Sequence, residues 1–298
     1  MRLLRRLAPA QRELAIRLRL MRSALSPRTR RAERRADVLL VSYPKCGRTW
    51  LTMMLSHALA RLAGLDDVDY LTTDLLDGRA ERLPRIRVSH DDNPHWKSAR
   101  ALSRSKQRYR DQGVVLLVRD PRDVVVSMYF ERTRRERAYA GTLAEFLHER
   151  RGSLDTILAY YGIWAEQGPR LPHFLLVRYE ELRADPGAGL ERILAFAGVA
   201  DVTVAEIEAA VAFASFENMR AMEQGQVFAS GRLRPRDPAD VESYKTRRGK
   251  VGGYVDYLQP DEIAWMEQRI RSTLDPAFGY GSPAHASLEP PASLRTAP

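Results

Sequence analysis

Residues 38–60 read VLLVSYPKCGRTWLTMMLSHALA, and this order constrains the fold more than any other part of the chain. Residues 38–41 are all aliphatic, which is typical of a strand that is buried on both faces of a parallel sheet. Beyond Trp50, apolar residues recur at intervals of three and four, the period of a helix with one buried face. The segment therefore predicts a strand, a tight turn and a helix.

The turn at residues 44–49 combines residue types that suit a phosphate group. Backbone N–H groups in the first turn of a helix have no partner within the helix, and the helix dipole favours an anion beside them. Gly47 lets the backbone approach a ligand closely, Lys45 supplies a mobile positive charge and Thr49 supplies a hydroxyl. We expect a phosphate site here, although an ordinary strand-to-helix turn with a surface lysine has the same pattern.

This turn differs from the Walker A loop of P-loop nucleotide kinases. That motif, G-x-x-x-x-G-K-[ST], places its lysine directly after the second glycine. In this chain Lys45 stands two residues before Gly47, the only glycine of the turn. A P-loop-like nucleotide kinase stays open as an alternative. It also requires an aspartate after a strand to hold Mg²⁺, for which Asp120 is the candidate.

A second strand-turn-helix pattern follows further along the chain. Residues 114–118 are all aliphatic and lead into Arg119 and a turn that contains Pro121. The aliphatic run predicts a central parallel strand, and Arg119 leaves it at the edge where open α/β sheets bind ligands. Ser127 stands just over two helical turns further on. Two such turns, each with a cation, suit a ligand with two separated phosphates.

A candidate general base follows the short strand predicted at residues 85–89. His90 stands at the carboxyl end of this strand, and an imidazole takes up a proton near neutral pH. On this pattern alone, an ordinary core or surface histidine is also an explanation. The other histidines have no comparable setting; they are His57, His95, His148, His173 and His285.

The whole pattern predicts an α/β protein. Strands are expected near residues 38–43, 85–89, 114–118 and 174–178, with helical patterns between them. This alternation indicates a single domain with a central parallel sheet flanked by helices and a P-loop-like phosphate site. We place the domain at residues 37–281, after a basic N-terminal arm (1–36) and before a proline-rich tail (282–298) that we expect to be disordered.

The net charge of +10 belongs to the N-terminal arm. Residues 1–36 hold twelve arginines against two acidic residues, so the rest of the chain is formally neutral. This distribution argues against nucleic-acid binding by the folded body. Apolar residues repeat at helical spacing beside the arginines, which predicts an amphipathic helix. Such a helix contacts a membrane surface or a partner, or packs on the domain.

Cysteine use and hydropathy predict the compartment. Cys46 is the only cysteine, so an intrachain disulfide is excluded and nothing indicates an oxidising environment. No apolar run approaches the ~20 residues that a membrane span needs. We therefore expect a cytoplasmic protein, with peripheral membrane contact through residues 1–36 as a further expectation.

The two phosphate-type turns resemble motifs of the PAPS-dependent sulfotransferases. YPKCGRTW at residues 43–50 resembles the YPKSGTTW-type loop that holds the 5′-phosphosulfate of the donor in that family. Cys46 and Arg48 stand in place of the usual serine and threonine. The motif R-x-x-x-D-x-x-x-S, which holds the donor's 3′-phosphate there, matches Arg119 and Ser127.

Four further segments match the same family in the same order. His90 matches the base of its K-T-H-type segment, with Val88 in place of the lysine. Tyr179, in YEEL, matches a tyrosine that contacts the donor, and Phe216, in ASFENM, matches the aromatic residue that encloses the adenine together with the tryptophan of the first loop. RRGKVGGY at residues 247–254 resembles the R-K-G-x-x-G-D-W segment that closes over the 3′-phosphate.

The resemblance implies that the donor is PAPS, the product is 3′,5′-ADP, the acceptor is a hydroxyl or an amine, and no metal takes part. His90 would deprotonate the acceptor and Lys45 would neutralise charge on the departing phosphate. The implied donor-binding residues are Lys45, Cys46, Gly47, Arg48, Thr49, Trp50, Arg119, Ser127, Tyr179, Phe216, Arg247, Arg248 and Gly249. A non-catalytic nucleotide-binding protein of the same fold is the second alternative.

The acceptor cannot be read from these motifs. The family's acceptor site corresponds to residues 65–84, 131–152 and 226–245, which match no pattern of known chemistry. The arginines of 131–152 fit either a solvated helix face or a wall of the acceptor site, and 226–243 is typical of a lid or a disordered loop. A small molecule, a lipid or a glycan all stay open as acceptors, and the oligomeric state is not predicted.

Overall fold

Four parallel strands form the centre of the fold in the computed structural model, which describes residues 8–25, 27–66, 68–73 and 82–281. They are β1 (Val38–Ser42), β2 (Ile86–Ser89), β3 (Gly113–Val118) and β4 (Phe174–Arg178), in the order β2-β1-β3-β4. Every residue of β1 is buried, because a parallel sheet is covered on both faces. The predicted α/β fold is confirmed, and each strand ends within one residue of its expected bounds.

The helices of the described residues surround this sheet. They are α1 (Pro9–Leu25), α2 (Pro27–Arg34), α3 (Arg48–Leu62), α4 (Pro121–Phe130), α5 (Leu143–Leu147), α6 (Leu154–Gln167), α7 (Tyr179–Ala184), α8 (Pro186–Phe196), α9 (Val204–Phe213), α10 (Phe216–Gln224) and α11 (Pro260–Thr273). Helices α3, α8 and α9 pack on one another, and α6 packs on α4 and α11 in a second group.

The register of the sheet brings four chain segments to one edge. Ser42 pairs with Leu117 of β3, and Arg178 pairs with Val118, so the carboxyl ends of these strands lie side by side. β2 is aligned with β1 in the same direction. The residues that directly follow the strands therefore meet at this edge, where ligands of open α/β sheets bind.

The segment between β2 and β3 contains residues 95–112, whose sequence is basic and typical of a helix, but it forms no α-helix in the structure. It forms three short 3₁₀ turns, Pro94–Trp96, Ala99–Ala101 and Gln107–Tyr109. A short helix in water is stabilised mainly by burying an apolar face. Here polar contacts dominate instead, because the buried carboxylate of Asp91 accepts hydrogen bonds from Lys106, Arg108, Tyr109 and Trp164.

The N-terminal helices contact the domain. Arg12 in α1 donates a hydrogen bond of 2.8 Å to the carbonyl oxygen of Arg137, while Leu14 and Leu18 stay about half exposed. Glu33 in α2 accepts a 2.9 Å hydrogen bond from Ser89 at the end of β2. These contacts favour a helix packed on the domain. The domain boundaries themselves stay a prediction, and residues 282–298 lie outside the described residues.

Candidate active site

A cavity of about 280 Å³ opens at the carboxyl edge of the sheet. Residues that follow all four strands line it, namely Lys45, His90, Arg119 and Tyr179. Apart from Cys46, all of the site residues predicted from the sequence lie on its wall. The structure therefore gathers segments that are far apart in the chain around one space.

The backbone of the first loop requires a glycine at position 47. Gly47 has a φ of +90°, and a Cβ atom placed there would lie 2.6 Å from the ring of Tyr179. Lys45 also has a left-handed φ, of +75°, which turns the loop back towards the start of α3. The first turn of this fifteen-residue helix carries Arg48, Thr49 and the ring of Trp50 on the cavity wall.

Cys46 is the predicted site residue whose side chain does not line the cavity. It is fully buried, and its Sγ lies 3.3 Å from the hydroxyl of Tyr161. Burial raises the pKa of this thiol to about 12, so it stays protonated. The same Tyr161 hydroxyl accepts from the backbone N–H of Arg119 and donates to its carbonyl oxygen. The cysteine thus packs between the two phosphate-type turns as a small core residue.

Lys45 is paired with a carboxylate that the sequence analysis did not single out. Its Nζ lies 2.6 Å from Oε2 of Glu131, and the guanidinium of Arg135 lies 3.3 Å from the same carboxylate. Burial alone would raise the pKa of Glu131, but Lys45 and Arg135 outweigh it and hold this pKa well below its usual range. Glu131 is therefore ionised and forms an ion pair with Lys45.

Two other cations on the wall are unpaired. Within the described part of the chain, the guanidinium of Arg48 and the ammonium of Lys245 make no hydrogen bond or ion pair. Burial and the positive charge of Arg232 lower the pKa of Arg48 to about 10. Burial also lowers the pKa of Lys245, to about 7. Charges in such a setting are costly without a partner, so the cavity is suited to an anion.

The position of Lys245 is fixed by a buried carboxylate. Glu223 is fully buried and accepts from the backbone N–H groups of Lys245 (2.7 Å) and Thr246 (2.8 Å) and from the Thr246 hydroxyl (2.6 Å). Arg135 also donates to Glu223, at 3.5 Å. Since residues 226–245 show no periodic pattern, nothing in the sequence indicated that Lys245 would reach the cavity.

Arg119 joins three parts of the site. Its guanidinium donates to Oδ2 of Asp123 (3.1 Å), to the carbonyl oxygen of Lys250 (2.8 Å) and to that of Lys45 (3.4 Å). It also lies 4.5 Å above the ring of Tyr179. Arg119 therefore holds the first loop and the C-terminal loop together beside the cavity.

Asp123, in the first turn of α4, binds the backbone of the C-terminal loop. It accepts hydrogen bonds from the backbone N–H groups of Gly252 (2.9 Å) and Tyr254 (3.0 Å), as well as from Arg119. The N-cap of α4 is instead Asp120, which accepts from Arg122. Asp123 thus anchors the C-terminal loop to the turn after β3.

His90 has one ring nitrogen hydrogen-bonded to the backbone and lines the cavity. Its Nδ1 lies 3.0 Å from the carbonyl oxygen of Ser42, and because a carbonyl only accepts, this nitrogen carries the proton. Nε2 is then free to accept one. Burial, with help from Arg48, lowers the pKa of His90 well below its ordinary value, so the ring is neutral. Lys245 is also among the charges that lower it.

His95 is a second imidazole on the cavity wall, contrary to the sequence analysis, which gave it no site. Its ring centroid lies 6.0 Å from that of His90, and it is only 7% exposed. Burial, with Arg132, lowers its pKa to about 3. It stands on the 3₁₀ turn Pro94–Trp96, which no periodicity of the sequence predicts.

Aromatic rings line another part of the wall. The rings of Trp50 and Tyr179 meet edge to face at 5.8 Å, and Arg183 lies 5.4 Å from the Trp50 ring. Phe216 lies under Gly249, where an added Cβ would approach its ring to 2.8 Å. These rings suit a planar, uncharged base.

The predicted basic pair of the C-terminal loop is on the wall but has internal partners. Arg247 lies 3.0 Å from Glu242, and Arg248 lies 3.0 Å from Asp256. Both side chains line the cavity. A ligand phosphate at this end would therefore compete with, or share, these arginines.

A parallel sheet whose strand-to-helix turns surround one cationic cavity defines an α/β enzyme fold of the P-loop-like kind. The chain belongs to the sulfotransferase family, because the model of the sulfotransferase domain matches residues 35–277. The reaction class predicted from the sequence is thus confirmed: the protein is a sulfotransferase. Among the described residues no helix is long and apolar enough to cross a membrane, and no group of three or more potential metal ligands occurs.

Known proteins of similar sequence are sulfotransferases as well. The chain is 26% identical over 276 residues to cytosolic sulfotransferase 16 of Arabidopsis thaliana, covering 80% of this chain and 78% of the relative. It is 25% identical over 265 residues to flavonol 3-sulfotransferase of Flaveria bidentis, with 80% and 81% covered. The crystal structure of mouse sulfotransferase SULT7A1 complexed with PAP shares the fold, with a TM-score of 0.55, 21% identity, and 80% and 84% covered.

Proposed function

We propose that the protein transfers a sulfuryl group from PAPS to a hydroxyl or an amine of a small-molecule acceptor and releases 3′,5′-ADP. Sulfuryl transfer follows from the family. The observation that carries the assignment to this cavity is the presence of two partly buried cations, Arg48 and Lys245, whose side chains make no ion pair within the described residues. They lie beside Lys45 on the wall, where a phosphosulfate supplies the missing negative charge.

The donor would be held at three points. Lys45, Arg48, Thr49 and the first turn of α3 suit its 5′ end, because free N–H groups and cations meet there. Arg119 and Ser127, together with the loop at residues 247–249, suit the 3′-phosphate. Trp50 and Phe216 offer planar surfaces for the adenine, which supports a nucleotide over a simple anion.

In the proposed reaction the acceptor atom bonds to sulfur, the sulfur–oxygen bond to the phosphate breaks, and the electron pair of that bond stays on the phosphate. His90 takes the acceptor proton on Nε2, since Nδ1 is occupied by Ser42. Lys45 stabilises the charge that develops on the phosphate, with Arg48 and Lys245 close by. Positioning and charge stabilisation supply most of the catalysis, as in phosphoryl transfer.

A small-molecule acceptor and a cytoplasmic location are part of the proposal. They are supported by relatives named as cytosolic and flavonol sulfotransferases. The kinase alternative is disfavoured by Asp120, because both of its carboxylate oxygens are engaged by Arg122 and are not available to Mg²⁺. The expectation that no metal takes part stays a prediction, and lipid or glycan acceptors are the finer alternatives.

The proposal is tested by measuring transfer of radiolabelled sulfate from PAPS to a panel of phenols, alcohols and amines. We expect turnover by the intact protein and its loss in His90→Ala, with binding of 3′,5′-ADP retained. Retained turnover in His90→Ala would exclude this histidine as the base. A protein that binds 3′,5′-ADP but transfers sulfate to no acceptor would favour the non-catalytic alternative.

A further inference from the structure

A π-helical turn extends α4 over residues Glu131–Arg135. The backbone N–H of Glu136 donates to the carbonyl oxygen of Glu131 at 2.8 Å, which is the i to i+5 bond of this turn. In an α-helix, side chains five residues apart point roughly 140° away from each other. The wider turn brings them to one side instead, and both Glu131 and Glu136 line the cavity. Such turns are frequently found at functional sites.

Glu136 has no partner for its charge. In the described part of the chain its carboxyl group makes no hydrogen bond or ion pair, and Oε2 is buried. Burial and the neighbouring carboxylate of Glu131 raise the pKa of Glu136 to about 8, against the opposing effects of Arg132, Lys45 and Arg135. An unsatisfied buried carboxyl group costs stability, so its retention on a cavity wall points to a ligand.

A second unpartnered polar group lies on the same wall. His95 is more than nine-tenths buried, and its Nδ1 atom has no hydrogen-bond partner. His95 adjoins His90, the proposed base, and Glu131 and Lys45 are among the charges that act on it. One polar group without a partner, Nδ1 of His95, therefore lies beside the proposed base, and Glu136 lines the same cavity near Glu131.

The neighbouring arginines do not favour an anionic acceptor at this end. Arg132 is 3% exposed and stacks on the ring of Trp96 at 3.6 Å. Arg135 donates to the carbonyl oxygen of Ser243 at 2.7 Å and pairs with Glu131. Nε and Nη1 of Arg132 are buried without a hydrogen-bond partner, but neither arginine is among the residues that line the cavity. The donor's own negative charge, once bound beside Lys45, makes this end of the cavity more favourable for a cation.

We propose that the acceptor carries a protonated amine, which Glu136 and Glu131 bind while the reacting hydroxyl reaches His90. This inference rests on the proposed function. The donor takes over Lys45, which releases Glu131 from its 2.6 Å ion pair, and the ammonium group of the acceptor replaces the lysine as its partner. The donor thus prepares the acceptor site, so the donor binds first.

Matched pairs of acceptors test the inference. Tyramine and 4-propylphenol differ only in an ammonium group against a methyl group, and so do 6-aminohexan-1-ol and heptan-1-ol. We expect kcat/KM for sulfuryl transfer from PAPS to be roughly tenfold or more higher for the amine in at least one pair, as for a hydrogen bond to a charged group. In Glu136→Gln this ratio falls towards one. In Glu166→Gln, a surface control at an exposed residue that pairs with Arg170 and accepts from Gln167, it is unchanged.

Calorimetric binding of the four probes in the presence of 3′,5′-ADP gives the same comparison without turnover, and the comparison on the intact protein needs no variant to fold. Equal binding and equal transfer within both pairs would overturn the inference, and so would the absence of binding by both amines. In either case, tight binding of 3′,5′-ADP leaves the proposed function standing. Absence of 3′,5′-ADP binding would instead overturn the proposed function.

Discussion

The ammonium of Lys45 lies 2.6 Å from the carboxylate of Glu131, so the cation at the donor end of the cavity already has an anionic partner within the chain. Both side chains are largely shielded from water, which strengthens the pair. In the proposed donor complex, the phosphate displaces Glu131 from Lys45. The same proposal links the two ends of the cavity, because the released carboxylate would then face the acceptor.

The exchange predicts that Glu131→Gln binds 3′,5′-ADP more tightly than the intact protein, by about tenfold or ~1.4 kcal/mol. The amide no longer competes with the 5′-phosphate for Lys45. The same variant loses roughly 1–3 kcal/mol of unfolding free energy without ligand, because the buried lysine then lacks its partner. Calorimetry and chemical denaturation measure the two effects. Weaker ligand binding by the variant would show that Glu131 supports the donor site instead of competing for it.

Lys245 predicts a pH dependence of donor binding. Burial lowers its pKa to about 7, and a bound phosphate, which favours the charged form, raises it. Above pH 7 the free protein has lost this proton and must take it up on binding, so the affinity for 3′,5′-ADP falls as the pH rises from about 7. Calorimetry in buffers of different ionisation enthalpy detects the uptake. It is absent in Lys245→Met; persistence of the same uptake there would assign it to another group.

The same lysine affects the stability of the protein without ligand. The pKa of Lys245 in the folded state is about 7, below its ordinary value of 10.5. The unfolded chain therefore holds more protons than the folded protein between these two values, and the unfolding free energy contributed by this group rises with pH across that window. Below pH 7 the full cost of the buried charge is present. Lys245→Met flattens this part of the stability profile, as measured by denaturation at several pH values; an unchanged profile would contradict the assignment.

The lowered pKa of His90 leads to a prediction for how kcat/KM depends on pH on the acid side. Because burial and Arg48 lower the pKa of His90 well below its ordinary value, the base stays unprotonated throughout the neutral range. We expect kcat/KM to show no acid limb from His90 above pH 6.5. His90→Ala lowers kcat roughly 10²–10⁴-fold. An acid limb at pH 6.5 or higher that disappears in a His90 variant would contradict the buried, neutral ring.

Gly47 and Gly64 both have a left-handed φ, so their alanine variants can be compared with each other. At Gly47 an added Cβ meets the ring of Tyr179 at 2.6 Å, whereas at Gly64 nothing lies within 4 Å. Gly64→Ala is therefore expected to cost about 1–2 kcal/mol of backbone strain and to bind 3′,5′-ADP normally. Gly47→Ala carries the same strain and also displaces Tyr179 or the loop, so it loses binding. Equal binding by both variants would mean that the loop adapts without affecting the site.

The sequence predicted the parts of the site that follow strands. Residues 38–41 and 114–118 are aliphatic throughout, so their positions in the sheet are unambiguous, and parallel strands end at one edge. His90 and Arg119 could thus be placed beside the same ligand before their distances were known. Their residue-by-residue roles in donor binding and catalysis stay predictions.

The sequence did not predict the cavity residues whose positions depend on irregular backbone. Glu131 and Glu136 share a face only because of the π-helical turn, and an α-helical reading of residues 131–136 separates them. Lys245 depends on the buried carboxylate of Glu223, a contact between distant segments that no local pattern shows. The reading of residues 131–152 as a solvated face is wrong for Arg132, which is buried on Trp96.

The contacts of the loop at residues 226–243 could not be predicted from the sequence either. Its composition is typical of a lid or a disordered segment, yet Leu233 is fully buried and Arg232 donates to the carbonyl oxygen of Leu71 at 3.1 Å. These contacts are made by tertiary packing and leave no periodic signal in the sequence.

Calorimetric titration with 3′,5′-ADP tests the central claim, that both phosphate-type turns hold one donor, most directly. The account predicts clear binding by the intact protein, not matched by 5′-AMP or by ATP with Mg²⁺, and at least about tenfold weaker binding by Lys45→Ala. No binding of 3′,5′-ADP, or a preference for ATP with Mg²⁺, would contradict it.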